Sequence, residues 1–334
     1  MQDHSNIQTL TPRTFEGRKP KVSVLIPMYN EEASLDNLFH RVNSVIDTLP
    51  QYDWEILLVN DGSRDHSLLI AIRLHLSDPR WHYLDLSRNW GKETAMMAGI
   101  DYVTGDCMII MDADLQHPPE AFPLMLDEWM KGYDDIYGHR LTRGKEPWLR
   151  RKLSMLYYNI LERSTRQPVL KNVGDFRCLD SICIEALRRL PESQRYTKGL
   201  FSWIGFRKTS VPFEQEERTE GETKWNFLSL LNLAIEGLTS YTTAPLRIAS
   251  VAGLTVSVLA FIYMIYVLVK TIIWGDSVQG FPTLLIVLLL LGGLILLALG
   301  IIGEYIGRIF IETKRRPGYF VRDYDGTIQN PRNK

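Results

Sequence analysis

The chain has 334 residues, 38 lysines and arginines against 39 aspartates and glutamates, and a formal net charge of -1. This balance excludes the global basic bias of a nucleic-acid-binding protein, so we expect no nucleic-acid partner. The three cysteines and seven histidines lack the spacing of a zinc site, which argues against a zinc enzyme and favours reduced thiols in a cytoplasmic domain.

The first 20 residues are polar, which excludes a cleaved secretory signal and predicts a flexible N-terminal tail over residues 1–20. Beyond them, short apolar runs alternate with a helical pattern. Strands are predicted at residues 22–26, 55–59, 81–86 and 107–111, and the apolar spacing of residues 34–49 predicts a helix. This alternation predicts an α/β catalytic domain over residues 21–224, with a mostly parallel, right-handed, Rossmann-like sheet.

Polar clusters follow three of these predicted strands. Tyr29 and Glu31 come after the first strand, Asp61 after the second, and Asp112 and Asp114 after the fourth. Ligands of open parallel sheets bind beyond the carboxyl ends of the strands. The sequence therefore predicts a ligand site where these clusters meet.

Asp112 and Asp114 are the strongest candidates for metal ligands. A spacing of two residues would place both carboxylates on one side of an extended chain, and Gln116 continues the same parity. Hard oxygen ligands suit Mg²⁺ or Mn²⁺, and such an ion can hold a diphosphate. An Asp-x-Asp pair also occurs in solvated loops, but the strand before it and Pro118-Pro119 after it favour a site.

Two long apolar runs, at residues 248–269 and 284–308, lie near the C-terminus. About 20 apolar residues in a helix cross the roughly 30 Å hydrocarbon core of a bilayer. We therefore predict two transmembrane helices over residues 246–310, in preference to a buried hairpin of a soluble protein. Basic residues flank both runs, at Arg247 and at residues 314–316, and this bias predicts cytoplasmic termini.

The segments on either side of the predicted spans also carry patterns. Residues 225–245 are predicted as an amphipathic juxtamembrane helix, which would lie in the lipid interface or pack on the sheet. Residues 311–334 are predicted as a cytoplasmic tail, and residues 316–321 within it could form a β-strand.

Four motifs occur in order along the N-terminal half: VSVLIPMYNEE, VNDGSRD, RNWGKETAMMAG and MDADLQHPPE, which begin at residues 22, 59, 88 and 111. Together they resemble the family 2 inverting glycosyltransferases with a GT-A fold, and more closely the polyprenyl-phosphate sugar transferases such as dolichyl-phosphate mannose synthase. The later motifs GDFRCLD and KGLFSWIGF, followed by two apolar runs, resemble the bactoprenol (undecaprenyl-phosphate) glucosyltransferase branch.

The resemblance implies a role for each matched position. The residues expected to bind the nucleotide sugar are Pro27, Tyr29, Glu31, Asp61, Lys92 and Asp112. Asp112, Asp114 and Gln116 would hold Mg²⁺ or Mn²⁺, with Lys92 near the base or ribose. Asp175 would act in catalysis by binding sugar hydroxyls or orienting the acceptor, because a phosphate acceptor is already ionised. The alternative is an aspartate that caps a turn.

The resemblance also implies a site for a lipid phosphate, at Arg140, Arg150, Arg151 and Ser154, and it implies a catalytic role for Arg140. Guanidinium groups match phosphate oxygens in a bidentate way. Attraction to anionic headgroups is the alternative role of such a basic patch. Which of Arg150 and Arg151 contacts the phosphate stays open, because adjacent helical residues point about 100° apart.

We therefore expect an enzyme of the bacterial inner membrane, a multi-pass protein with two spans and a cytoplasmic catalytic domain. It would transfer a hexose, glucose from UDP-glucose, onto undecaprenyl phosphate with inversion. The lipid product would need a separate flippase, and a homo-oligomer is compatible with the resemblance. Mannose from GDP-mannose and an amino sugar stay open, since Asn60, Trp90 and His117 depart from the common pattern.

Two other functions compete with this expectation. A processive polysaccharide synthase carries a Gln-x-x-Arg-Trp motif, which this sequence lacks. A catalytically silent membrane scaffold would keep the fold for binding alone, and the intact Asp112, Asp114, Gln116 and Arg140 speak against it.

Overall fold

The computed structural model describes residues 10–141, 173–190, 197–214 and 280–325, together with isolated positions between 251 and 273. The chain divides into two compact units. The first comprises residues 1–158, 167–224 and 317–334, and the second comprises residues 159–166 and 225–316.

The first unit alternates strands and helices. Its strands are β1 Lys21–Met28, β2 Asp53–Asn60, β3 Trp81–Leu86, β4 Cys107–Ile110, β5 Asp135–Arg140, β6 Val173–Asp180, β7 Lys208–Phe213 and β8 Val321–Tyr324. Its helices are α1 Leu35–Ile46, α2 Ser67–Ser77, α3 Lys92–Tyr102, α4 Phe122–Met130, α5 Ser181–Arg188 and α6 Thr197–Trp203, with a short 3₁₀ turn at Pro119–Ala121. The four strands and the first helix predicted from the sequence are confirmed, with ends that differ by up to three residues.

The strands form one eight-stranded sheet in the order β7-β5-β6-β4-β1-β2-β3-β8. β1 pairs in parallel with β2 and β4, and β2 pairs in parallel with β3. β6 runs antiparallel to both β4 and β5, while β5 and β7 are parallel. The carboxyl ends of β1, β2 and β4 therefore meet at one edge of the sheet, as the polar clusters predicted.

Helices cover both faces of the central strands, so most residues of these strands are apolar and buried. Val24, Leu25 and Ile26 of β1 have no exposed surface. α3 packs closely on this layer because Gly99 has no side chain, and a Cβ there would collide with Leu25. Burial of such runs at about 25 cal/mol per Å² of apolar surface stabilises the platform that carries the polar ends.

Part of the predicted N-terminal tail contacts the first unit. Arg13 forms ion pairs with Asp134 (Nη2–Oδ1, 2.8 Å) and Asp180 (Nε–Oδ2, 2.8 Å). The ring of Phe15 lies 5.5 Å from that of Trp129. Residues 10–20 therefore pack on the domain, because the guanidinium of Arg13 pairs with two buried carboxylates.

The second unit contains helix α7, Phe281–Thr313, of 33 residues. Among the described residues, the stretch Leu290–Thr313 of this helix is long and apolar enough to cross a membrane. Its large side chains are exposed, as at Leu284 (67%) and Leu296 (70%). The described positions between 251 and 273 are helical. Because they are isolated positions, the first predicted span and the hairpin stay predictions. Residues 225–245 lie outside the described residues.

The chain returns to the first unit after α7. β8 pairs antiparallel with the outer edge of β3, with Asp85 opposite Asp323. The strand predicted at residues 316–321 therefore overlaps β8 only at Val321, where the pairing with β3 starts at Leu86.

Candidate active site

A cavity of about 230 Å³ opens at the carboxyl ends of β1, β2 and β4. Its lining residues are Pro27, Met28, Tyr29, Glu31, Asp61, Asn89, Gly91, Lys92, Ala95, Asp112, Ala113 and Asp114. All six positions expected to bind the nucleotide sugar are in this set, together with Asp114. Four of the lining side chains are carboxylates, which gives the cavity a strongly acidic wall.

The loop after β1 is fixed to the loop after β2. Asn30 adopts a left-handed conformation (φ 55°), and its N–H donates to Ser63 Oγ at 3.0 Å. The N–H of Glu31 donates to Ser67 Oγ at 2.8 Å. These bonds leave the ring of Tyr29, 40% exposed, at the mouth of the cavity.

Asp61 is buried and joins two loops at the cavity wall. Its carboxylate accepts hydrogen bonds from the backbone N–H groups of Trp90 (2.7 Å) and Gly91 (2.9 Å). Burial raises the pKa of Asp61, and the two N–H groups act against that rise. Gly62 has a φ of +66°, and a Cβ there would lie 2.5 Å from the carbonyl carbon of Arg88. The residue after Asp61 must therefore be glycine for the two loops to approach this closely.

The Asp-x-Asp segment does not continue β4 as an extended chain. The backbone turns at Ala113 and Asp114, and Leu115 has a φ of 58°. Asp114 Oδ1 accepts a hydrogen bond from the N–H of Gln116 at 3.1 Å, so the carboxylate caps its own turn. The expected parity is therefore wrong, although the turn still brings Asp112 and Asp114 to the same cavity. Gln116 is not among the residues that line it.

Lys92, at the start of α3, lies between two carboxylates. Its Nζ is 2.6 Å from Asp112 Oδ1 and 3.1 Å from Asp175 Oδ2. Burial alone would lower the pKa of Lys92, but Asp112 and Asp175 outweigh burial and raise it above its usual value. The lysine is therefore a fixed positive charge that links the end of β4 to β6. The structure places it against these carboxylates, and a contact with base or ribose stays a prediction.

Asp175 and Arg140 lie on the paired strands β6 and β5. Asp175 is 8% exposed. A Cβ built on Gly174 would lie 3.6 Å from Arg140 Nη2, so the guanidinium is beside the residue that precedes Asp175. The structure thus brings together Asp112, Lys92, Asp175 and Arg140, although they come from four elements. The predicted lipid-phosphate residues Arg150, Arg151 and Ser154 lie outside the described residues.

His117 was noted in the sequence only as a departure, and the structure gives it a place in the site. It is 2% exposed, and its Nδ1 accepts a hydrogen bond from the N–H of Asp112 at 3.1 Å. Its ring stacks on Phe176 with centroids 4.9 Å apart. Burial lowers the pKa of His117, which favours the neutral ring that can accept at Nδ1. His117 therefore ties the turn that carries Asp112 to the strand that carries Asp175.

Comparisons with known proteins agree with this arrangement. The sequence model of glycosyl transferase family 2 matches residues 23–184, and the model of the GtrB C-terminal hairpin matches residues 244–309. Relatives include the prophage bactoprenol glucosyl transferase homolog of Escherichia coli K12, 39% identical over 90% of this chain and 98% of that protein. The bactoprenol glucosyl transferase of Shigella phage SfX is 38% identical over 90% of this chain and 99% of that protein.

Among solved structures, glucosyl-3-phosphoglycerate synthase from Mycobacterium tuberculosis, crystallised with Mn²⁺ and UDP, shares the fold. It is 18% identical, with a TM-score of 0.50, and the match covers 67% of this chain and 80% of that one. The GT-A fold and the family resemblance expected from the motifs are confirmed. With near full-length relatives at this identity, the chain belongs to glycosyl transferase family 2 and is a glycosyltransferase.

Proposed function

We propose that the protein transfers glucose from UDP-glucose to undecaprenyl phosphate with inversion, at the cytoplasmic face of a bacterial inner membrane. The main observation in support of this function is the charge cluster in the cavity, where Lys92 Nζ lies 2.6 Å from Asp112 and 3.1 Å from Asp175. The names of the bactoprenol glucosyl transferase relatives support the choice of sugar and acceptor. Family membership argues against a scaffold without activity.

A divalent cation fits the donor set of this cavity. Asp112 and Asp114 offer hard carboxylate oxygens on one wall, the ligand type that Mg²⁺ and Mn²⁺ prefer. We propose these two residues as the protein ligands, with Gln116 of the same turn as a third oxygen donor. A bound ion would offset negative charge on the diphosphate leaving group.

The remaining residues would bind and orient the two substrates. Glu31 and Asp61 would accept hydrogen bonds from the base or ribose, beside Pro27 and Tyr29. Asp175 would bind sugar hydroxyls, held in place by Lys92. The acceptor phosphate is ionised at neutral pH, so it can attack the anomeric carbon directly and displace UDP. The reaction therefore depends on proximity and charge stabilisation rather than on a general base.

The basic side chains would bind the lipid acceptor, and the apolar helix would keep the catalytic unit near it. Arg140 is proposed to contact the lipid phosphate, with Arg150, Arg151 and Ser154 as further candidates. A tether that spans the bilayer would keep the catalytic unit close to a membrane-bound acceptor and raise its effective concentration. We retain two spans, a separate flippase and an oligomer as proposals.

Mass spectrometry of the lipid made from a panel of nucleotide sugars tests the proposal. Purified full-length protein would be given undecaprenyl phosphate with UDP-glucose, GDP-mannose or a UDP-amino sugar. We expect a hexosyl phospholipid from UDP-glucose, released with one UDP for each lipid formed. A product formed only from GDP-mannose would show that GDP-mannose is the donor. If none of the donors gave a polyprenyl product, undecaprenyl phosphate would not be the acceptor.

The aspartate pair is tested by Asp114→Asn. We expect loss of transfer with an unchanged unfolding temperature, because the variant keeps the size and turn position of the side chain. Asp127→Asn is the matched control, since Asp127 is an exposed aspartate on α4. Unchanged turnover in Asp114→Asn would remove the metal role.

A further inference from the structure

A second group of metal-ligating side chains lies away from the acidic cavity. Among the residues that the structure describes, His75, His82 and Asp325 each offer one ligand atom, and these atoms lie within 4.8 Å of one another. His75 is in the last turn of α2, His82 is in β3, and Asp325 follows β8 directly. The two histidines come from neighbouring elements, and the fold brings Asp325 to them from near the C-terminal end of the chain. The third ligand is therefore far away in sequence, which explains why the spacing of the histidines did not reveal the group.

Asp325 is the centre of the group. Its Oδ2 lies 2.6 Å from His75 Nδ1 and 3.3 Å from His82 Nδ1. Its Oδ1 accepts a hydrogen bond from the N–H of Tyr83 at 2.9 Å. The side chain of Asp325 is only 6% exposed, so the carboxylate is fixed by the backbone of β3 and aims its second oxygen at the two imidazoles.

Two of the converging atoms are buried without hydrogen-bond partners among the described residues. They are His82 Nδ1 and Asp325 Oδ2, which face each other at 3.3 Å in a geometry that is not a hydrogen bond. Buried polar atoms normally have hydrogen-bond partners, because an unsatisfied one destabilises the folded state. Asp325 Oδ2 also lies 2.6 Å from His75 Nδ1, so the three atoms are close enough together for one bound cation to contact all of them.

The donor set selects the chemical class of this ligand. Two imidazole nitrogens and one carboxylate oxygen are the protein ligands of borderline divalent cations such as Zn²⁺, with water in a fourth position. Ligand atoms about 2.1 Å from a tetrahedral ion lie roughly 3.4 Å apart, close to the His82–Asp325 separation. The shorter His75–Asp325 contact would open by less than about 1 Å. His75 Nδ1 also lies 2.7 Å from the carbonyl oxygen of Trp81, and binding through Nδ1 would replace that contact.

We propose that His75, His82 and Asp325 form a structural Zn²⁺ site. The ion would join the segment that follows α7 to α2 and β3 of the catalytic unit. It would fix β8 on the edge of the sheet, independently of the sugar transfer reaction. The site closes a loop from residue 82 to residue 325, so it constrains the chain on either side of the predicted spans.

Metal analysis of the full-length protein in detergent tests the site. The protein is stripped with a chelator, dialysed against Zn²⁺ in excess Mg²⁺ to occupy the acidic cavity, and measured by elemental mass spectrometry. We expect wild type to retain about one equivalent of Zn²⁺, and His82→Gln and Asp325→Asn to lose it. His66→Gln is the matched control, because the side chain of His66 is 77% exposed and pairs with Glu32.

Co²⁺ in place of Zn²⁺ provides a second readout. A visible absorption band of four-coordinate Co²⁺ should appear in wild type and His66→Gln and be absent from the other two variants. Circular dichroism of each variant verifies folding. Retention of Zn²⁺ by all variants alike, or by none including wild type, would overturn the proposal and leave a hydrogen-bonded ion pair only.

Discussion

The guanidinium of Arg140 lies at the end of β5, close to Gly174 and His117. Its Nε is buried and has no hydrogen-bond partner among the described residues. A half-buried guanidinium whose Nε donor has no partner among the described residues is suited to bind an anion from the substrate. This property distinguishes Arg140 from Lys92, whose charge is already paired with Asp112 and Asp175.

Arg140→Ala should therefore impair the use of the lipid acceptor without impairing the binding of UDP. We expect transfer to undecaprenyl phosphate to fall about 10- to 100-fold, the loss of one or two charged hydrogen bonds, while UDP binding persists. Calorimetry gives the UDP affinity, and UDP release gives the rate. Arg73→Ala, a change at an exposed arginine of α2, should alter neither value. Equal losses of UDP binding and transfer in Arg140→Ala would identify a structural arginine.

Glu55 provides a test of stability at a second buried carboxylate. It accepts hydrogen bonds from the Oγ of Ser23, from the N–H of Thr104 at 2.9 Å and from its Oγ1 at 2.8 Å. Burial would raise the pKa of Glu55, but these bonds and the charge of Lys21 hold it below the usual value. The group therefore adds stability that is present above the unfolded pKa, about 4.3, and is lost as pH falls through the folded pKa.

Glu55→Gln should be destabilised at pH 7 by roughly 1–3 kcal/mol, because a neutral amide cannot accept all of these bonds. The difference from wild type should shrink as pH falls below about 4.3. Thermal unfolding at both pH values measures it, with the exposed Glu185→Gln as control. A difference that is constant or larger in acid would contradict the sign of the pKa shift.

At the scale of elements, the site depends on loops that touch each other more than on the strands themselves. The loop after β2 packs on the backbone of Arg88 and Asn89 at Gly62, and Asp61 holds Trp90 and Gly91 from the same position. One glycine thus permits the approach that lets one carboxylate fix the next loop.

Gly62→Ala should break this arrangement. The φ of +66° and the 2.5 Å approach to Arg88 both oppose a Cβ. The strained backbone alone should lower the free energy of unfolding by about 1–3 kcal/mol. We expect a lower unfolding temperature and weaker UDP binding, measured by calorimetry. Gly17→Ala is a useful comparison, because Gly17 also has a positive φ (75°) but open space around it. Equal UDP affinities in the two variants would show that the loop contact does not shape the cavity.

The parallel half of the sheet was predictable because its strands are buried on both faces and read as continuous apolar runs. The antiparallel half was not. β6 lies between β4 and β5, so its place depends on pairing between segments far apart in the chain. No local pattern records such an order, since the apolar residues of β5–β7 are also compatible with a parallel extension.

The site was predicted in its location and in part of its geometry. The carboxylates after β1, β2 and β4 meet because parallel strands present their carboxyl ends together. The turn at Asp114 was missed because the positive φ of Leu115 has no sequence signal. The contact of Lys92 with Asp175 joins residues 83 positions apart, and it became visible only when β6 was placed beside β4.

For the whole molecule, the chain leaves the first unit, forms α7 in the second and returns to complete the sheet. A 33-residue helix rises about 50 Å, more than the roughly 30 Å of a hydrocarbon core. Its C-terminal part carries the charged residues Glu304, Arg308 and Glu312. Because β8 comes after α7 in the chain, a catalytic fragment that stops before residue 225 would lack β8.

Truncation after residue 316 tests the importance of this return, because it keeps α7 and removes β8. The lost contacts include Phe320 O with the N–H of Ser87 (2.9 Å) and Tyr83 Oη with Asp323 (2.9 Å). The edge of β3 would also be left unpaired, which favours aggregation. We expect the unfolding temperature to fall by roughly 5–10 °C, from the loss of several hydrogen bonds. The measurement is made in the presence of a chelator, so that the proposed Zn²⁺ at Asp325 does not contribute to the difference.

The matched control is truncation after residue 325, which keeps β8 and should unfold like the full chain. Protease sensitivity gives an independent measure, because an open β3 edge should be cleaved faster than a paired one. If both truncations unfold at the same temperature, β8 is a peripheral strand. If only the shorter chain is destabilised, the catalytic unit depends on residues that follow the apolar helix, and a single cut cannot separate its complete fold from that helix.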